Sequence, residues 1–390
     1  MVRAIKGLYH LLVAVYANIR FGFPSRSLTV IGVTGTDGKT TTTTLIYEIL
    51  KAAGYKTSMI STVHAVIAGK SYDTGFHVTT PNPYFVQKYL REAAEHGDTH
   101  VVLEVTSHAL SQYRVFGVKF AVGVITNVTH EHLDWHKTFE NYLRTKLTLL
   151  RKASIAVVNR DEAEVYNRAM PYLRRKTVVT YGIRRDAIVS LKNHALRTKL
   201  LGEFNQYNCL AALATAYALK ISKKVALDAV AQFPGVVGRM EIMQREPFTV
   251  IVDFAHTPNA IDKALKSARA FTKKRLIHVF GSAGLRDHTK RPMMGKASGT
   301  YADVIVLTEE DYRTENIDTI MDEIAAGIPP GPQIYRYPNR QNAIDFATQL
   351  AKPGDLVIVT GKGHEKSLAR GKTEYPWSDQ SAVKKALKTL

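Results

Sequence analysis

The sequence predicts an α/β fold in two units, each built on a mainly parallel sheet covered by helices. Three observations predict it. β-branched runs alternate with helical runs along most of the chain, one such run feeds a glycine-rich turn that opens a helix, and FPGVVG at Phe233–Gly238 breaks the alternation once before a second alternating set begins. The 390 residues are enough for about two to three domains at about 150 residues each.

The first 27 residues stand apart. Ile5, Leu8, Leu12, Val15 and Ile19 recur at helical spacing, Tyr9, Leu11 and Tyr16 broaden the apolar face, and Arg3, Lys6 and Arg20 lie at the ends. The apolar stretch Leu8–Ala17 is too short to span a bilayer. His10 within it and the lack of a small-x-small cleavage site argue against a signal peptide. Two readings stay open: a helix packed on the next unit, which would bury Leu8, Leu12 and Val15, or an interfacial helix resting on an anionic membrane.

The run Leu28–Ile31 then leads into GVTGTDGKTTTTT, Gly32–Thr44, and on to Leu45, Ile46, Ile49 and Leu50 at helical spacing. Strand, glycine-rich turn and helix in that order cradle phosphates, because small residues let backbone N–H groups approach an anion at the positive helix end. A nucleoside triphosphate is the expected ligand of Gly35, Thr36, Asp37, Gly38, Lys39, Thr40 and Thr41, with Lys39 on the outer phosphates and the Thr40 hydroxyl on Mg²⁺. The spacing departs from the commonest loop, which would have glycine where this chain has Val33.

Further along, Thr99–Val105, Ala121–Thr126 and Ser154–Asn159 read as strands, and Tyr142–Leu150 and Tyr207–Leu219 as helices. Beyond the break, Thr249–Asp253, Arg275–Phe280, Val304–Leu307 and Leu356–Thr360 are strand candidates, with helices such as Asn259–Ala270 between them. The expected division is an amphipathic helical segment at 1–27, a central P-loop-type ATPase unit at 28–237 and a C-terminal Rossmann-like α/β unit at 238–390. Catalytic loops belong at strand C-terminal ends in such sheets.

Hydrophobic content of 45% and charged content of 22% are those of an ordinary globular protein. The 53 Lys+Arg against 34 Asp+Glu leave +19, which favours anionic partners. The basic residues are scattered in short clusters such as Arg174-Arg175-Lys176, with no nucleic-acid motif, so no nucleic-acid partner is expected. A single cysteine, Cys209, excludes an intrachain disulfide and a cysteine-based zinc cluster and fits a reducing cytoplasm.

The segment from Ile125 to Leu150 gathers His130, Glu131, His132, Asp134 and His136. Zinc is the first thought, but HEH lacks the i, i+4 geometry of helical zinc pairs, and magnesium suits a phosphate-loop protein better. Glu104, ending the apolar run VVLEV, is well placed to give it an oxygen ligand.

GTDGKTT, TTP (Thr79–Pro81), EVTSHAL (Glu104–Leu110), TNVTHEHLDWH, GEFNQYN (Gly202–Asn208), GRMEI (Gly238–Ile242), DFAHTP (Asp253–Pro258), GLRDHTKRPMMG (Gly284–Gly295) and GKGHE (Gly361–Glu365) occur in the order found in the Mur ligases. Over about Leu28 to Asp379 the chain resembles that family, most of all its MurE branch, which adds the third residue to a muramoyl-L-Ala-D-Glu acceptor in peptidoglycan synthesis. The resemblance implies ATP and Mg²⁺ at Lys39 and Thr40. It implies a second magnesium on Glu104 and His132, and a carbamylated Lys146 at the same site. A carbamate turns a cation into an anion and so lets a lysine serve a metal.

The resemblance also assigns Asn205, Asn208, Arg239, Asp253, His256, Arg286, Asp287 and Lys290 to the nucleotide. Thr79, Thr80, Thr106 and Arg114 fall to the muramoyl-dipeptide, with Thr106 in place of the commoner serine. For the incoming amino acid, the diaminopimelate enzymes carry DNPR where this chain has EDYR, Glu310–Arg313, so Arg313 keeps a carboxylate clamp while Asp311 and Tyr312 depart from type. Gly361 and Glu365 would face its ammonium group. With the phosphate loop beginning at Gly32, the separate UDP-gripping domain usual in this branch is not expected before it.

The expected protein is therefore an ATP-dependent amino-acid ligase working through an acyl phosphate, with catalytic residues Lys39, Glu104, His132 and Lys146. A cytoplasmic monomer with small-molecule substrates is expected, its N-terminal helix giving the one route to peripheral membrane contact. The alternatives are a relative acting on another or lipid-linked carboxylate, as in folate polyglutamylation, muropeptide amidation or cyanophycin-type synthesis, and a non-catalytic nucleotide-binding scaffold.

Overall fold

The computed structural model describes residues 2–63, 65–72, 79–129 and 133–390, with only the backbone described for residues 2–6, 133 and 134. The chain divides into two compact units, Met1–Lys199 with Phe204–Pro234, and Leu200–Glu203 with Gly235–Leu390.

In the first unit the order is α1 (Val2–Arg20), β1 (Thr29–Thr34), α2 (Lys39–Ala52), β2 (Thr57–Ile60), β3 (Ala65–Ile67), β4 (Lys70–Tyr72), α3 (Pro83–Glu95), β5 (His100–Glu104) and α4 (Ser107–Ser111). There follow β6 (Phe120–Ile125), α5 (Leu133–His136), α6 (Phe139–Lys152), β7 (Ile155–Asn159), α7 (Ala163–Leu173), β8 (Thr177–Gly182), β9 (Val189–Ser190), α8 (Glu203–Ala218) and α9 (Lys223–Gln232). The strands form one sheet in the order β4-β3-β2-β5-β1-β6-β7-β8-β9. From β2 to β9 every neighbouring pair is parallel, and β3 and β4 add an antiparallel edge.

The inner strands are near-continuous runs of Val, Ile and Leu because helices cover both their faces. Val30, Val101, Leu103, Val86, Leu90, Phe120 and Leu149 pack in one cluster, and Ile125, Tyr142, Leu147, Val158 and Val165 in another. Full burial of such a side chain contributes about 1.5–3 kcal/mol. Val33 pairs with Glu104 and Thr34 with Ile125, so β1, β5 and β6 end side by side and their loops converge.

Helix α1 corrects an expectation. It packs on α3, but among its described side chains those buried are Ala14, Ala17 and Asn18, while Leu8 (59% exposed), Leu12 (61%) and Val15 (38%) remain outside. Asn18 Nδ2 donates to the Ala14 and Phe116 carbonyls at 2.7 and 2.9 Å. A Cβ on Gly117, whose φ is +79°, would lie 2.3 Å from Asn18 Oδ1. The physical reason is size: small side chains let a helix seat closely on its neighbour, and the small residues of α1 lie opposite its large ones.

The second unit runs β10 (Glu241–Gln244), β11 (Thr249–Val252), α10 (Pro258–Phe271), β12 (Leu276–Phe280), α11 (Lys290–Tyr301), β13 (Val304–Leu307), α12 (Ile317–Ala325) and β14 (Gln333–Arg336). It continues with α13 (Arg340–Leu350), β15 (Leu356–Val359), β16 (Ser367–Arg370), β17 (Thr373–Pro376) and α14 (Asp379–Lys388). Its main sheet has the order β10-β11-β15-β12-β13-β14, parallel except for the edge strand β10, and β16 and β17 form a separate hairpin.

Two buried polar groups hold its strand ends in place. The Arg340 guanidinium pairs with Asp379 through two bonds of 2.8 Å and also donates to the carbonyls of Glu309 and Thr360, just beyond β13 and β15. His278 bonds Ser298 Oγ at 2.8 Å and Thr360 Oγ1 at 2.9 Å, and burial pushes its ring down to about 3, so it is neutral.

Candidate active site

In the first unit the turn from β1 to α2 is held by residues just after β6 and on α8. Thr36 N–H donates to Asn127 O, Asp37 N–H to Asn127 Oδ1, and Thr126 Oγ1 to Asp37 O at 2.6 Å. Gly35 is needed because a Cβ there would fall 1.8 Å from Thr126 Oγ1. Gly38 is needed twice over, since its φ is +78° and a Cβ would lie 2.1 Å from Asn208 Oδ1. Asn208 in turn donates to Asn205 Oδ1 at 2.9 Å and accepts from Thr42. The two asparagines thus form one buried group with the phosphate loop.

A Gly38→Ala variant is expected to lose about 1–3 kcal/mol of stability from the strained backbone alone. It should also weaken nucleotide binding, which thermal melting with and without ATP would show.

Lys39, the first residue of α2, donates through Nζ to Thr36 O at 2.7 Å, at the mouth of the loop. Next to it, Thr40 Oγ1 reaches both oxygens of Glu104 at 3.0 and 3.2 Å. Thr62, beyond β2, adds its N–H at 2.9 Å and its hydroxyl at 2.8 Å to the same carboxylate. Thr41 is buried in α2. Among the described residues no group of three or more His, Cys, Asp or Glu gathers to hold a metal. The Thr40, Thr62 and Glu104 oxygens nevertheless suit Mg²⁺, a hard cation that takes few protein ligands and completes its shell with water and phosphate. His132 lies outside the described residues.

Lys146 enters from α6, whose amphipathic face buries it together with Tyr142, Leu143 and Leu147. Thr138 starts that helix by accepting the Asn141 N–H. The Lys146 Nζ donates to Gly35 O and lies 4.5 Å from the Tyr142 ring centroid, and Tyr142 OH is hydrogen-bonded to Thr36 Oγ1 at 3.1 Å. Lys146 is therefore part of the wall of the phosphate loop. The rings of His108, Trp135 and His136 form a tilted cluster that meets Tyr142, with centroids 5.1 Å apart for His108–Trp135 and His136–Tyr142.

The residues expected to hold the acceptor form a chain leading away from Glu104. Thr62 Oγ1 is hydrogen-bonded to Thr79 Oγ1 at 3.1 Å, Thr80 Oγ1 donates to Glu104 O at 2.9 Å, and Thr106 N–H donates to Thr80 Oγ1 at 3.2 Å. Thr106 caps α4 by accepting the Ala109 N–H. Arg114 Nη1 donates to Thr80 O at 2.7 Å, and its Nε and Nη2 hold Gln112.

The second unit carries two groups of site residues. In the first, Asp253 is buried at the end of β11 and accepts the N–H groups of Met240 and Ala255 at 2.7 and 2.8 Å. Burial raises its carboxyl above the usual range against the pull of Arg239. The Arg239 guanidinium lies 4.3 Å over the Phe254 ring. His256 bonds Phe254 O, and Lys290 Nζ donates to His256 O at 3.0 Å. Arg286 and Asp287 lie exposed on the loop before α11, and Thr289 caps the Asp287 carboxylate and holds its pKa low.

The second group lies where β13 and β15 end. Lys362 is fully buried between Asp311 (2.8 Å) and Glu365 (2.5 Å). Burial acts to raise the Asp311 carboxyl, but Lys362, the Ala369 N–H and Arg313 together outweigh it and hold the group low. Glu310 has no partner for its Oε2 among the described residues, and burial pushes it up to about 7. Gly361, with φ of +112°, passes so close that a Cβ would meet that oxygen at 2.9 Å. Arg313 donates to Gly284 O at 2.8 Å, with its other nitrogen 3.8 Å from Asp311.

Thr62, Asn127, Tyr142, Lys362 and Glu310 were not assigned from sequence. Asn127 and Lys362 sit inside quoted motifs, TNVTHEH and GKGHE, and carried a signal; Thr62 has none beyond its place after a buried strand.

Residues 33–216 match the Mur ligase middle domain, and residues 238–363 match the Mur ligase, glutamate ligase domain. A UDP-N-acetylmuramoyl-L-alanyl-D-glutamate–2,6-diaminopimelate ligase of Aquifex aeolicus is 38% identical over 94% of this chain and 79% of its own length. A UDP-N-acetylmuramyl-tripeptide synthetase of Roseiflexus is also 38% identical, over 95% of this chain and 80% of its own. A solved diaminopimelate ligase structure is 29% identical, covers 93% of this chain and 78% of its own, and superposes with a TM-score of 0.65. Both domains in order, with relatives this similar over most of their length, make the chain a member of the Mur ligase family.

Proposed function

We propose that this chain is an ATP-dependent ligase that joins a diamino acid, diaminopimelate ahead of lysine, to the free carboxylate of a muramoyl-L-Ala-D-Glu acceptor. The observation that carries the reading is the contact of Thr40 and Thr62 with buried Glu104 at the mouth of the phosphate loop, from which Thr79, Thr80 and Arg114 lead away. The names of the relatives in Aquifex and Roseiflexus support it.

In the first step an acceptor carboxylate oxygen attacks the terminal phosphorus of ATP, ADP leaves, and an acyl phosphate forms. In the second the amine of the incoming amino acid attacks the carbonyl carbon, loses a proton, and expels phosphate that carries the former carboxylate oxygen. Lys39 and the N–H groups of the loop meet the charge on the transferring phosphoryl group, and positioning supplies most of the rate. Thr40, Glu104 and, by the resemblance, His132 and carbamylated Lys146 would hold Mg²⁺, which neutralises phosphate charge. Asn205 and Asn208, with Arg239, Asp253, His256, Arg286, Asp287 and Lys290, serve the nucleotide. Thr106 and Arg114 position the acceptor.

Arg313, with Asp311, Gly361 and Glu365, serves the incoming amino acid. An arginine–carboxylate contact is worth about 1.5–3 kcal/mol, or roughly tenfold or more in selectivity. The chain is therefore expected to use diaminopimelate with kcat/KM at least about tenfold above lysine, and Arg313→Ala should erase the difference. Product masses from ATP, acceptor and each amino acid test this; equal or better use of lysine would replace diaminopimelate as the substrate.

A further inference from the structure

Helix α1 turns its large apolar residues outward. Leu8, Tyr9, Leu12, Val15, Tyr16 and Ile19 are 38–65% exposed. At 3.6 residues per turn they fall within an arc of roughly 120°, centred opposite the buried Ala14, Ala17 and Asn18. The loop on which α1 packs exposes two more aromatic rings, Tyr113 and Phe116, at 41% and 37%. Gly7 lies against Tyr113, and Asn18 bonds Phe116 O. An exposed stripe of six large apolar side chains on one helix face of a globular surface marks an interaction site.

Charge identifies the occupant. The first 36 residues hold Arg3, Lys6, Arg20 and Arg26 and no Asp or Glu, in a chain of net charge +19. Arg20 and Arg26 are exposed, over the rings of Phe21 and Phe23. A two-fold contact between copies through this face would set like charges near each other, because such an interface uses the same patch twice. An anionic lipid surface instead offers acyl chains to the stripe and phosphates to the cations. Tyrosines beside leucines suit the water–lipid boundary, where a ring is half apolar and half wet. No helix of the described residues is long and apolar enough to cross a membrane, so α1 would lie in the surface.

We propose that α1, with Tyr113 and Phe116 beside it, docks this protein on an anionic lipid bilayer. Arg114, next to Tyr113, bonds Thr80 O, so the docking face adjoins the residues assigned to the acceptor. The docking itself rests on the apolar and basic residues of this surface and holds whichever carboxylate the enzyme joins.

The test is co-sedimentation of the full chain with vesicles containing phosphatidylglycerol and with vesicles of phosphatidylcholine alone, at low and high salt. The expected result is binding to the anionic vesicles that weakens as salt rises and is much weaker on neutral ones. The triple variant Leu8→Asp, Leu12→Asp, Ile19→Asp should lose binding at least about tenfold. Its melting temperature should be unchanged, because these side chains are already exposed. Arg20→Glu with Arg26→Glu should weaken binding at low salt. Failure to sediment with anionic vesicles at low salt, or equal binding to neutral ones, would overturn the proposal. So would a dimer that the triple variant dissolves in a protein with no vesicle binding, which would give the face to a second copy of the chain.

Discussion

Lys39→Ala is expected to lower amide formation by about 10²–10³-fold, the usual effect of removing one preorganised donor from developing charge. Lys39 begins α2 behind a left-handed Gly38, and its Nζ already points back over the loop to Thr36 O. The side chain is partly exposed, so its loss leaves the core intact and the melting temperature close to that of the parent. The drop should therefore lie in kcat, with ADP release and product formation falling together. Full ligation by this variant would contradict the proposed role of the loop.

The second large effect is expected at Lys146. Lys146→Ala should lose at least about 100-fold in turnover, because the variant removes the proposed anion from beside the metal. It also removes the contact with Gly35 O that closes the wall of the phosphate loop. These two causes separate cleanly. If a carbamate is the working form, small carboxylates should restore part of the activity, and labelled bicarbonate should give a carbamate signal in the parent enzyme. If the wall contact is the whole effect, carboxylates restore nothing. An unmodified Lys146 in a fully active enzyme at saturating bicarbonate would refute the carbamate.

What the sequence made legible follows from the range of the forces involved. The runs that form β1, β5, β6, β7 and β12 stand out because strands buried on both faces are apolar at most positions. The phosphate loop was legible because Gly35, Gly38, Lys39 and Thr40 act through local backbone geometry. Thr62 was not, since its two hydrogen bonds to Glu104 bridge 42 residues and arise only when β2 and β5 pair. The short antiparallel strands β3 and β4 escaped for a similar reason, being three residues each and defined by their partners.

Helix α1 shows a different failure. Its periodicity locates the apolar face, and of the two readings left open the packed one sets that face against the neighbouring unit. The small residues Gly7, Ala14 and Ala17 carried the opposite signal and decide the matter, leaving the stripe for another surface. Lys362 shows a third kind of limit. In GKGHE it reads as one more basic residue, yet the fold buries it between Asp311 and Glu365 and so shapes the electrostatics around Glu310 and Gly361.

The central claim, ligation through an acyl phosphate, is tested most directly by following oxygen from the acceptor. With a muramoyl-dipeptide acceptor whose free carboxylate carries heavy oxygen, ATP and diaminopimelate, each amide formed should deliver one labelled oxygen to inorganic phosphate. Amide formation with unlabelled phosphate, or with the label in AMP, would contradict the account.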